Sequence, residues 1–157
     1  MHRAPVPQET RTIASTSSSR GAPTVAPLLR ATALAQGLYY AVTGFWPLLS
    51  IGTFQLVTGP KRDLWLVKAA GALIGVIGAV LAVAGVRRRV TPELPLLGIG
   101  AAASLAGIDL VYVRRRVILP IYLLDAVAEI GLIGLWLAAV QPGLAAGWRR
   151  ITAEGAR

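Results

Sequence analysis

The stretch LWLVKAAGALIGVIGAVLAVAGV, residues 64–86, decides the fold. Its only charge is Lys68. About 20 apolar residues suffice for a helix to cross the hydrocarbon layer of a membrane. A soluble domain would instead mix charges along its helices. Just outside the stretch, Asp63 is placed to cap the helix, and Arg87-Arg88-Arg89 ends it. Further out lie similar apolar segments at 28–51, 93–113 and 117–140. The pattern predicts an all-α, integral membrane protein built as a four-transmembrane-helix bundle.

The rest of the composition fits that solvent. The chain is 55% hydrophobic with a mean hydropathy of +0.63. Its charges collect in the gaps between apolar segments. The formal net charge is +9, and arginine supplies 14 of the 16 basic residues. These arginines flank membrane segments, where they meet anionic lipid headgroups and fix orientation, so no nucleic acid is expected as a partner. The arginine, alanine and glycine bias suggests a GC-rich bacterial genome, and hence the bacterial cytoplasmic (inner) membrane.

One membrane domain fills 28–140. The Ser- and Pro-rich basic tail at 1–27 is expected to be disordered, and 141–157 to form a short C-terminal tail. The first tail is too long for the n-region of a signal peptide, so the first apolar segment is expected to stay as a membrane helix. There is no cysteine, and the only histidine is His2. Disulfides, thiolate chemistry, a histidine metal cluster and a Ser-His-Asp triad are therefore excluded. No metal and no cofactor are expected, and the chain carries no phosphate loop or dinucleotide fingerprint.

Local signals set the helix ends. Pro47 is expected to bend or break the first helix, with Phe45, Trp46 and Phe54 contributing to an interfacial aromatic belt. Residues 52–63 read as a loop with a Gly59-Pro60 turn. In the second helix Gly71, Gly75 and Gly78 allow close backbone packing. In the third, Thr91 is expected to cap, and Gly98, Gly100 and Gly107 to share one small-residue face. The fourth is expected to stop at Gln141-Pro142-Gly143, with Trp148, Arg149 and Arg150 at the membrane surface. An even number of crossings puts ten basic residues on the side of both termini and six on the other, so both termini are expected in the cytoplasm.

Four ionisable groups interrupt apolar helix: Lys68, Asp109, Asp125 and Glu129. Their positions put all four in the half of the bilayer distal to the termini. Asp125 and Glu129, at i and i+4, share a helical face. A charge at the bilayer centre costs about 2.5–3.5 kcal/mol on insertion scales. These groups are thus expected to turn inward, with Lys68 pairing with Asp125 or Glu129, and Asp109 meeting Lys68 or one of Arg114–Arg116. Tyr39, Tyr40, Tyr112, Tyr122 and Gln55 can add hydrogen bonds. The bent first helix and the loop from Thr58 through Lys61 to Asp63 are expected to roof the cluster. Two readings stay open: structural pairing that fixes helix register, or a ligand, ion or proton site.

The run Gly37-Leu38-Tyr39-Tyr40, Thr43-Gly44-Phe45-Trp46-Pro47-Leu48, Val57-Thr58-Gly59-Pro60-Lys61 and Trp65-Leu66-Val67-Lys68 resembles a group of small, uncharacterised bacterial four-helix membrane proteins. The resemblance continues at Ile108-Asp109 and Pro120-Ile121-Tyr122-Leu123-Leu124-Asp125. It covers about residues 34–140 and implies the fold but no activity. A looser likeness, in helix count and a glycine-bearing first helix, is to DoxX-like membrane proteins. The first functional expectation is a non-enzymatic membrane component or accessory subunit, associating with a second copy or another membrane protein. The alternatives are a small transporter or proton- or ligand-binding protein using the charged cluster, and a membrane enzyme acting on a lipid or quinone.

Overall fold

The computed structural model describes the backbone of residues 27–154 and the side chains of residues 27–141. The N-terminal tail before Pro27 and the surface placement of Trp148, Arg149 and Arg150 lie outside those bounds. Among the described residues the chain forms five helices: α1 Pro27–Leu49, α2 Ile51–Thr58, α3 Leu64–Val86, α4 Glu93–Arg114 and α5 Tyr122–Glu154. Three helices, α3, α4 and the Tyr122–Gln141 part of α5, are long and apolar enough to cross a membrane. The bent pair α1 and α2 makes a fourth candidate, turning by 114° at its break.

Helix α1 is the centre of the assembly. It packs chiefly on α3, while α4 packs on α5, and α1 also touches both α4 and α5. The α1–α3 seam is antiparallel and runs the length of both helices. A Cβ added to Gly85 would meet Leu34 Cγ at 2.7 Å, and one added to Gly71 would meet Gly44 O at 2.6 Å. Between these ends, a Cβ on Gly78 would overlap the backbone of Ala41, and one on Gly44 that of Gly75. Only glycine permits such close approach, and in lipid this packing replaces the hydrophobic drive that water would supply.

The corner between α1 and α2 lies one turn beyond the expected place. Pro47 stays inside α1, buried, with its ring against Gly71. The chain leaves helical geometry at Ser50, with φ −150° and ψ 88°. Ser50 N–H still bonds Trp46 O at 2.9 Å, and Ser50 O then accepts from Phe54 N–H at 3.1 Å, so one residue ends α1 and starts α2. Trp46 clamps the corner through Nε1–H to Thr53 Oγ1 at 2.8 Å and edge-to-face contact with Phe54. Hence 51–58, expected as helix end and loop, is a short helix of its own. Phe45 does not join an aromatic belt with Trp46 and Phe54: its ring covers Gly75.

Several end signals act differently from the sequence reading. Asp63 occupies the N-cap position of α3 but makes no side-chain cap bond; its carbonyl accepts from Leu66 and Val67 instead. Pro92, and not Thr91, is the N-cap residue of α4. The last helix begins at Tyr122, after a turn, and its backbone continues through Pro142 to Glu154. Proline's fixed φ is helical, so it costs the helix a hydrogen bond and local geometry without forcing an end.

Both arginine runs finish helices with the same turn. Arg88 and Arg116 have φ of 55° and 57°. The following residues bond back five positions, Arg89 N–H to Ala84 O and Val117 N–H to Tyr112 O, both at 2.9 Å. This is the six-to-one closure that usually uses glycine at the left-handed position.

The inward face of α4 is Gly98, Ala102, Ala106 and Asp109, spaced in helical turns. Gly100 and Gly107 stand on the outside with nothing within 4 Å of an added Cβ. The expected single face of small residues is therefore two faces, and Gly107 takes no part in packing within the chain.

Candidate ligand cavity and its carboxyl cluster

Two polar nodes lie between the helices, one toward each end of α1. Near the start of α1, Gln36 Nε2–H donates to Gly98 O at 2.9 Å and Gln36 Oε1 accepts from Trp136 Nε1–H at 2.6 Å. Both Gln36 and Trp136 are fully buried. This node ties α1, α4 and α5 together, with every group partnered. The sequence reading missed it. Its signal was a glutamine inside an apolar helix, one turn before Tyr40 on the same face.

The second node is built on adjacent tyrosines. Tyr39 donates its hydroxyl to Asp125, and Tyr40 donates to Glu129 Oε2 at 2.7 Å. Because Asp125 and Glu129 are one turn apart on α5, neighbouring residues of α1 can each reach one of them. Asp109, from α4, has its carboxyl within hydrogen-bonding reach of Asp125. Asp109 and Glu129 are only 5% and 0% exposed, yet Asp109 Oδ2 and Glu129 Oε1 have no hydrogen-bond partner. A buried polar atom left unpaired costs about 1–3 kcal/mol. One node is thus closed and the other is left with spare acceptors.

These acids border a cavity of about 470 Å³. It exists because α3 packs on α1 but not substantially on α4 or α5. Val67, Ala70, Gly71 and Ile74 of α3 form one wall, and Leu105, Ile108 and Asp109 of α4 the other. Tyr40, Thr43, Gly44, Trp46 and Pro47 of α1 lie behind, with Asp125 and Glu129 of α5. Phe54, Val57 and Thr58 of α2, with Lys61, Ile121 and Tyr122, close the end nearest the α1–α2 corner. Ala70 and Ile108 are both exposed, so the gap between α3 and α4 is open to the side. The volume falls in the range of small-molecule sites, about 300–1,000 Å³.

The roof rests on local geometry. Lys61 Nζ donates to Thr58 O at 2.8 Å and lies 4.9 Å from the Tyr122 ring centroid. Gln55 Nε2–H reaches Lys61 O at 3.4 Å. Gly59 has φ 81°, and an added Cβ would strike Leu119 at 2.8 Å, so this turn requires glycine.

The structure unites Asp109, Asp125, Glu129, Tyr39 and, at the roof, Thr58, Lys61 and Tyr122. It does not bring in Lys68, which is exposed on α3 and absent from the cavity wall. The inward positions of α3 follow Val67, Ala70, Gly71 and Ile74, and Lys68 falls off that stripe. The expected Lys68 ion pair with Asp125 or Glu129 is thus replaced by tyrosine hydroxyls. Asp109 likewise meets Asp125 and not an arginine. Asp63 is exposed outside the cavity, and Tyr112 lies outward with the Arg115 guanidinium 6.0 Å from its ring. Gln55 supports the roof without reaching the acids.

Among the described residues, no three His, Cys, Asp or Glu side chains converge tightly enough to hold a metal ion. Comparison with protein-family models, curated proteins and solved structures found no match to this chain.

Proposed function

We propose that this chain is a small-molecule-binding protein of the bacterial cytoplasmic membrane, with four crossings and both termini in the cytoplasm, serving binding or transport. The observation that carries this is the contrast between the nodes. The Gln36 node is saturated, whereas the node beside the cavity keeps Asp109 Oδ2 and Glu129 Oε1 unpaired. A purely structural cluster gains most when every polar group is satisfied. Intramembrane acids beside a cavity with spare acceptors fit a site that a ligand completes. Four crossings are supported by the α1–α3 seam, since α1 follows α3 from Gly85 to Gly71. The arginine runs would rest on anionic headgroups at both faces.

The cysteine-free chain offers a direct test. Ile74→Cys lies on the cavity wall, and Val76→Cys on the outer face of α3, where Val76 is exposed. In proteoliposomes N-ethylmaleimide reacts faster with the first, because a thiol ionises only where water reaches it. Equally slow labelling of both would mean a dry seam and would remove this reading. A second reading, an accessory subunit or homo-oligomer, is supported by the outward Gly100 and Gly107. It predicts a crosslinked dimer or hetero-complex in native membranes that Gly107→Leu abolishes; an unchanged crosslinking pattern would reject it.

A further inference from the structure

Resting on the ligand-site reading above, we infer that the cavity takes an organic cation: a protonated amine carried on an apolar or aromatic body. Three features of the wall select this class. The unpartnered polar atoms beside the wall are carboxyl oxygens, Asp109 Oδ2 and Glu129 Oε1, both buried, and a donor is what completes them. Three carboxyl groups border the cavity against one basic side chain. The one basic side chain on the wall, Lys61, is engaged with the Thr58 carbonyl and the Tyr122 ring. The remaining surface is apolar and aromatic, including Trp46 and Phe54, which suits the body of an amphiphile and can face a cation.

A bare metal ion is the wrong size of guest, because the acids do not converge as a coordination shell does. An ammonium group needs only two or three acceptors and carries its own apolar surface into the cavity. Asp125 is the most accessible of the three acids and stands between the other two, so the ammonium docks beside it. Its N–H groups there reach toward the unpartnered oxygens of Asp109 and Glu129. The open side between Ala70 and Ile108 admits such an amphiphile from the bilayer.

The test uses the full chain in phosphatidylcholine nanodiscs, with empty nanodiscs as background. Three probes share one body and differ in the head: 4-phenylbutylamine, 4-phenylbutan-1-ol and 4-phenylbutanoate. Binding is followed by tryptophan emission, since Trp46 lines the cavity. The expected result is amine binding at least about tenfold tighter than alcohol, and no saturable binding of the carboxylate, because a charge-assisted hydrogen bond is stronger than a neutral one. Asp109→Asn with Asp125→Asn abolishes the preference, and Ala70→Phe blocks all binding. Alcohol binding as tight as amine, blocked by Ala70→Phe, overturns the cation assignment and leaves the ligand site standing. Amine binding unaffected by Ala70→Phe overturns it as binding elsewhere. Saturable binding of none of the probes, together with slow Ile74→Cys labelling, overturns both.

Discussion

Tyr39 and Tyr40 divide the acids of α5 between them, but the two hydroxyls do unequal work. Glu129 is fully buried, and the Tyr40 hydroxyl is its one recorded partner; Asp125 is only half-buried and can borrow water from the cavity. Hydrogen bonds inside membranes average only about 0.6 kcal/mol, which is the scale expected for Tyr39→Phe. Tyr40→Phe leaves both oxygens of the fully buried Glu129 unpaired, so the desolvation cost decides and the loss should reach about 1–3 kcal/mol. Reversible unfolding of both variants in mixed micelles would show the difference, and equal losses would contradict the asymmetry. Gln36→Leu tests the other node. It strands the Gly98 carbonyl and the Trp136 N–H together, so a loss of about 1–3 kcal/mol is expected with a blue shift of the Trp136 emission. A stability unchanged within error would mean that this node does not lock the helices.

At the level of the element, glycines that look alike in the sequence are predicted to behave in opposite ways. Gly44→Ala or Gly78→Ala forces a methyl into the backbone of the facing helix and should cost about 1–3 kcal/mol. Gly107→Ala meets open space and should be neutral or stabilise by up to about 1 kcal/mol through helix propensity. Thermal unfolding in detergent would separate them, and a destabilising Gly107→Ala would point to a partner on that face. The helices themselves were legible because length and hydropathy decide helix formation in lipid, where backbone groups have no other partner. The turn at Gly59-Pro60 and the inward acids of α5 were legible for similar local reasons. Lys68 was not, because in nearly uniform apolar helices the period that picks the inward side is faint. Its face is set by where Gly71 and Gly75 dock on α1, a tertiary fact. Pro142 misled for the opposite reason: a strong local breaker was overridden by a helix already committed on both sides.

For the whole molecule, the seam between α1 and α3 supports the proposed four crossings. At one end Gly85 sits on Leu34, and at the other Gly71 sits on Pro47, so α1 follows α3 from Gly85 to Gly71. At about 1.5 Å per residue, the 23 residues of α1 reach about 35 Å, more than the roughly 30 Å hydrocarbon layer. If α3 crosses, α1 crosses beside it, and α2 turns off at 114° near the far surface. Under the proposed four crossings both ends of the chain share one face, and the larger share of arginine favours the cytoplasm for it. Single cysteines make this testable, since the chain has none of its own. In bacterial cells with a permeabilised outer membrane, Arg116→Cys should react with a membrane-impermeant maleimide. Arg20→Cys, Arg88→Cys and Arg157→Cys should react only after the inner membrane is opened. Labelling of Arg20→Cys where Arg157→Cys is protected would put the tails on opposite sides, with α1 dipping in and out beside α3. That arrangement cannot hold Leu34 at Gly85 and Pro47 at Gly71 together, so the cavity behind Tyr40 would lose its back wall and the ligand site would fall with the topology.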